Sequence, residues 1–181
     1  MNLLRSVACY SILFVLNGCG ASTPAAATRV VAADATGLST TPICFTPPDP
    51  ALSLTDRAQQ LNIQGICEDV ARKESVSVVT SGSQPCLAVS MIWAVRDTGD
   101  RDGDCTRTWT GAECESTAIH AKSLKLVLTE PVGGRVLAET TAAIRSSREY
   151  YSNESFHALC SAAFRDFPRP LSNAQFDVPV D

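Results

Sequence analysis

Eight cysteines in 181 residues constrain this chain more than any other feature of its sequence. Thiols at that density persist as disulfides in an oxidising compartment or as metal ligands. Structural zinc sites need paired cysteines or histidines separated by about two to four residues, and no two cysteines stand that close. Cys160 follows His157 by one helical turn but has no second pair to complete a site. A Cys-x-x-Cys redox motif is absent for the same reason. Disulfides are therefore the expected use, and a reducing cytoplasm does not fit.

The first eighteen residues read as a secretory signal. Arg5 supplies the positive charge, Val7 to Leu16 form an apolar run, and Asn17 and Gly18 end it. The run is too short for a membrane helix, which needs roughly 20 apolar residues. The segment Leu16-Asn17-Gly18-Cys19 resembles the lipobox of bacterial envelope lipoproteins, with Asn17 its least typical member. That resemblance implies cleavage before Cys19, acylation of Cys19 and a membrane partner reached through the lipid. Gly20, in place of an aspartate, implies sorting to the outer membrane. The expected location is the bacterial cell envelope, outer-membrane lipid-anchored and facing the periplasm or the surface. Several acyl chains would make a durable anchor, since each buried CH₂ contributes about 0.8 kcal/mol.

Residues 19–41 are rich in Ala, Thr and Ser, a composition that buries too little apolar area to offset ordering. They are expected to form the acylated cysteine and a flexible tether, with a reach on the order of 25 Å. Within them, Arg29-Val30-Val31-Ala32 is the only stretch suited to a short strand at the domain edge. Residues 42–181 are expected to form one globular domain, for which 45% hydrophobic residues supply a core.

Inside that domain, Leu54, Ala58, Leu61, Ile66 and Val70 predict a helix from Leu54 to Lys73, with Gly65 a point of weakness. Ser75 to Thr80 alternates like a strand, and Pro85 to Arg96 sets Leu87, Val89, Met91, Trp93 and Val95 on one face. Leu124, Leu126 and Leu128 alternate before Pro131-Val132-Gly133-Gly134; Val136, Ala138, Thr140, Ala142 and Ile144 alternate after it. This is a hairpin, with Lys125, Thr129, Glu139 and Thr141 on its solvent face. A second helix is capped by Ser152 or Asn153, carries Phe156, Leu159, Cys160, Ala163 and Phe164 inward, and ends at Pro168 and Pro170. The sum is a two-layer α+β fold: an antiparallel sheet of about four strands, covered on one face by two helices and tied by disulfides. At the level of topology the domain resembles small periplasmic α/β lipoprotein domains of uncharacterised function, and those of activators of cell-wall synthases.

With Cys9 in the signal and Cys19 acylated, the cysteines left for disulfides are Cys44, Cys67, Cys86, Cys105, Cys114 and Cys160. Cys105 with Cys114 is favoured, because both fall in one polar connection between strands. For the others the leaning is Cys67 with Cys86 and Cys44 with Cys160.

The basic residues are scattered singly and the net charge is −4, so nucleic acid is not an expected partner. No Gly-x-Ser-x-Gly, Ser-x-x-Lys or phosphate-loop motif occurs, and His120 and His157 read as surface residues. The reading is non-catalytic, with no cofactor. Asp97, Asp100, Asp102, Asp104 and Trp109 mark a candidate contact loop for another envelope protein or polymer. The alternative function is a ligand-binding module for calcium or a small molecule in the Asp97 to Asp104 loop, with Asp100, Asp102 and Asp104 the candidates for calcium, against which the glycine and glutamate spacing of helix-loop-helix calcium sites is missing. Hydrolysis of envelope polymers by an acidic pair is the remaining alternative, with nothing in the spacing to single one out.

Overall fold

The computed structural model describes residues 22–35, 37–108 and 111–179, with side chains over 24–35, 37–103 and 116–178. The expected signal peptide and Cys19 lie outside them. Among the described residues the chain runs β1 (Ser22–Val31), β2 (Ile43–Phe45), α1 (Leu54–Lys73), β3 (Leu87–Thr108), β4 (Gly111–Thr129), β5 (Val136–Ser146), α2 (Asn153–Phe164) and β6 (Leu171–Pro179). The strands form one sheet in the order β2-β3-β4-β5-β1-β6. The fold is α+β, as the patterning implies, but the sheet has six strands and is mixed. Its β2–β3 pair is parallel and the other pairs are antiparallel.

The largest correction concerns the expected tether. Ser22–Val31 is strand β1, seated between β5 and β6 and not at an edge. Its inward positions Ala25 and Ala27 are buried beneath α2, where small side chains let helix and sheet approach closely. The next inward position is Arg29, which is 1% exposed. Its Nε donates to Thr140 Oγ1 at 3.1 Å, Nη1 to the Arg169 carbonyl at 2.8 Å, and Nη2 to the carbonyls of Ala163 at 2.5 Å and Arg165 at 2.9 Å. The guanidinium also lies 5.2 Å from the Phe167 ring centroid. Arg29 thereby satisfies carbonyls at the C-terminus of α2 that have no partner within the helix. Burial lowers its pKa to about 10, with Asp166 acting in the opposite direction.

Helix α1 is continuous through Gly65, whose position is exposed. Ser53 caps its start, accepting from the Asp56 N–H at 3.1 Å, and Ser75 at φ 64° ends it. The buried face is Ile63, Cys67, Val70 and Ala71. Leu54 and Leu61, expected inward, are exposed, and only Val70 belongs to both the expected and the buried stripe. Helix α2, capped by Ser152, is buried at Phe156, Ala158, Leu159, Cys160, Ala162, Ala163 and Phe164. A helix so nearly apolar all round is covered on two sides: α2 rests on β1, β4, β5 and β6, and α1 packs on α2.

Ser75 to Thr80 is not a strand. It makes one parallel bridge, Val78 to Ile43, through the Ile43 N–H to the Ser77 carbonyl and the Val79 N–H to the Ile43 carbonyl. In the hairpin the inward residues Leu124, Leu126, Leu128, Ala138, Ala142 and Ile144 are buried as patterned. Lys125 and Glu139 pair at 2.8 Å on the opposite face.

Two disulfides lie in the described core, and they exchange the expected partners. Cys44 joins Cys86, with Cα atoms 5.7 Å apart, and Cys67 joins Cys160 at 5.2 Å. The parallel β2–β3 pairing sets Ile43 against Leu87, which brings Cys44 beside the start of β3. The packing of α1 on α2 sets Cys67 against Cys160. Both contacts depend on tertiary placement. In the chain-entropy account, loops of 42 and 93 residues correspond to about 4 and about 5 kcal/mol of stabilisation.

Candidate functional site

Strands β3 and β4 continue beyond the rest of the sheet. Strand β5 ends at Ser146, opposite His120, whereas β3 and β4 stay paired out to Thr108 and Gly111. The acidic stretch expected as a loop, Asp97 to Glu115, is therefore a two-stranded arm. Its register sets Cys105 directly opposite Cys114. The side chains of Asp104, Cys105 and Cys114, and Trp109 altogether, lie outside the described residues.

The arm's root is a bulge. Asp97 faces His120 and Arg101 faces Ala118, so β3 carries extra residues there, and Gly99 adopts φ 79°. The Asp97 carboxylate accepts from the Gly99 N–H at 2.8 Å and from Arg101 Nη1 at 3.2 Å. Those two bonds, the backbone one first, hold its pKa below the usual carboxylate value. Thr98 Oγ1 donates to the Ile119 carbonyl at 2.7 Å and accepts from the Asp100 N–H at 3.1 Å. The Asp100 carboxylate accepts from Arg145 Nη2, at the end of β5. Asp102 shares with Asp100, Arg101 and Arg145 the lining of an open cleft of about 420 Å³. Asp97 and Asp100 are thus occupied by arginines. Among the described residues no three acidic, histidine or cysteine side chains gather as a metal site.

Beside this root sits a second feature that the sequence did not announce. Lys122, on β4, is 1% exposed. Its Nζ donates to the Tyr150 carbonyl at 2.5 Å and to Ser155 Oγ at 3.3 Å, and lies 5.6 Å from the Tyr151 ring. Burial, followed by the nearby Arg148 charge, lowers its pKa below the ordinary lysine value. The Tyr151 hydroxyl donates towards the carbonyls of Ala94 at 2.7 Å and Ser123 at 2.9 Å, and its ring stacks on Phe156 at 4.4 Å. Burial raises the Tyr151 pKa above 10, against the lowering effect of those bonds. Lys122 and Tyr151 together fasten the connection between β5 and α2 to the sheet.

Next to them, Arg145, Arg148, Glu154 and four serines line a polar cleft of about 200 Å³. His120 lies on β4 at the arm's root, and His157 is half-buried on α2 beside a separate cleft with Lys73 and Glu74. The two histidines do not meet in one site. Lys122 escaped the sequence reading because it occupies an inward position of β4, between inward Leu124 and the partly covered His120; a charged residue in phase with an apolar alternation was the available signal.

No protein-family model matches the chain, and no curated protein matches it. Ten chains of solved structures do. A PDZ domain protein from Parabacteroides distasonis superposes with TM-score 0.56 at 12% identity, over 85% of this chain and 38% of that one. The PelC dodecamer from Paraburkholderia phytofirmans superposes with TM-score 0.43 at 11% identity, over 76% and 92%. The chain thus spans about two fifths of the first of these structures. Identities this low bear on the fold alone, and fold does not fix function.

Proposed function

We propose that the chain is a lipid-anchored component of a bacterial cell envelope, acylated at Cys19, with a non-catalytic accessory or partner-binding role at the outer membrane. The observation that carries the reading is the lipobox-like Leu16-Asn17-Gly18-Cys19 directly ahead of a domain with two buried disulfides. Disulfides of this kind suit an oxidising compartment outside the cytoplasm, which is where a lipobox sends its protein. The third disulfide belongs to this reading: Cys105 with Cys114, bracing the arm from strand to strand. The β3–β4 arm is the contact element. It extends beyond the end of β5, pairs with no further strand among the described residues, and carries Asp97, Asp100 and Asp102, with Trp109 between its two strands in the sequence.

Crosslinking in intact envelopes tests the role. The full chain is compared with its Cys19→Ala variant and with a variant carrying Asp97→Asn, Asp100→Asn and Asp102→Asn. A crosslinked partner seen with the anchored chain and lost from both variants supports the reading. The same partner retained by the arm variant removes the arm from it.

A further inference from the structure

We infer that the end of the sheet where β1 begins docks on the phospholipid head groups of the anchoring membrane, with Arg145 and Arg148 meeting lipid phosphates. The inference rests on the acylation of Cys19 proposed above. Only Gly20 and Ala21 separate Cys19 from Ser22, the first residue of β1. Three Cα steps of at most 3.8 Å keep the lipid-bearing residue within about 11 Å of the sheet. The segment that would have held the domain away from the bilayer is itself a strand, so the domain lies against the membrane.

The strand pairing decides which end faces it. Strand β1 runs antiparallel to β5 with Ala25 opposite Ile144, so the beginning of β1 lies beside Arg145 to Arg148. Strand β4 reaches the same end at His120, opposite Ser146. The polar cleft described above opens there, between the end of β5 and the capped N-terminus of α2. Arg145 and Arg148 are exposed at its rim, and Lys122 fastens the segment between them and α2. Asp100 pairs with Arg145, and Asp102, Glu149 and Glu154 stand near the two guanidiniums, whereas Arg148 has no ion-pair partner among the described residues and lies by the positive end of α2. Guanidinium groups bind phosphate through paired hydrogen bonds. The arm leaves the sheet from this end as well. Its exposed Asp97, Asp100 and Asp102 bar it from hydrocarbon, so it lies along the head groups.

Hydrogen exchange of the full acylated chain tests this, in phosphatidylglycerol–phosphatidylcholine vesicles and in maltoside micelles, which have no phosphate. The expected result is exchange about fivefold slower over residues 145–152 in vesicles, the effect of roughly one favourable arginine contact with an anionic surface. Arg145→Gln with Arg148→Gln abolishes that protection, while α1 exchanges as before and reports an intact fold. Protection of another surface, or none over 145–152 in an acylated chain, overturns the docking and leaves the anchor standing. A chain whose mass shows no acyl groups overturns the anchor, and the docking with it.

Discussion

Arg29 and Ala163 are joined by a hydrogen bond of 2.5 Å from the buried guanidinium to the carbonyl in the last turn of α2. The contact crosses from a stretch with the composition of a linker to the helix at the centre of the core. It makes β1 a structural member of the domain, and β1 begins two residues after Gly20.

Replacing Arg29 with methionine keeps much of the packing volume but leaves the carbonyls of Ala163, Arg165 and Arg169 without their donor. The expected loss is about 3 kcal/mol of unfolding free energy, from charge-assisted bonds and unsatisfied acceptors together. Lysine at this position retains charge without the planar fork and recovers only part of it. Urea unfolding of the three proteins measures the difference.

Peptide mapping under non-reducing conditions should recover Cys44 linked to Cys86 and Cys67 linked to Cys160. It should also recover Cys105 linked to Cys114, which the β3–β4 register sets face to face. Replacing Cys67 and Cys160 together by alanine is expected to cost about 5 kcal/mol, seen as a lower unfolding midpoint. Cys67 linked to Cys86 would contradict the observed packing of the helices.

Lys122 and Tyr151 titrate with opposite effects on stability. Burial lowers the lysine pKa, so the folded chain loses that proton before the unfolded chain does. The desolvation cost is present below the folded pKa and is relieved as pH rises from there to 10.5. For Tyr151 the folded pKa lies above 10. Its contribution is complete below pH 10 and is lost as pH rises through the folded value. Denaturant unfolding from pH 8 upwards should show Lys122→Met gaining less with pH than the native chain, and Tyr151→Phe losing less.

The pair of Asp100 with Arg145 is largely exposed, with side-chain exposures of 59% and 64%. Asp100→Asn is therefore expected to change stability by less than about 1 kcal/mol. Salt dependence of the unfolding midpoint, compared between the two proteins, checks that this pair is a surface interaction.

What the sequence made legible was the elements whose apolar pattern is set locally. The span of α1, the alternation of β4 and β5 and the Ser152 cap of α2 all follow from nearest neighbours along the chain. Strand β1 was hidden because its inward residues are Ala25, Ala27 and Arg29, which carry little hydrophobic signal and gain burial only from α2. Strand β6 has Phe176 and Val178 as its main apolar inward contacts, too few to show a period. The apolar positions Leu54 and Leu61 of α1 misplaced its buried face, since helical spacing fits two overlapping stripes and only the packing on α2 chooses between them. The arm was legible as a polar acidic segment but not as paired strands, because its sequence has no apolar alternation to mark a strand. Disulfide partners follow from tertiary contacts that spacing does not encode.

Intact mass of the full protein purified from envelope membranes tests the central claim most directly. The account predicts a chain that starts at Cys19 and carries acyl mass on that residue, with the remaining six cysteines oxidised. A chain with an unmodified Cys19, or with those six thiols free, would contradict it.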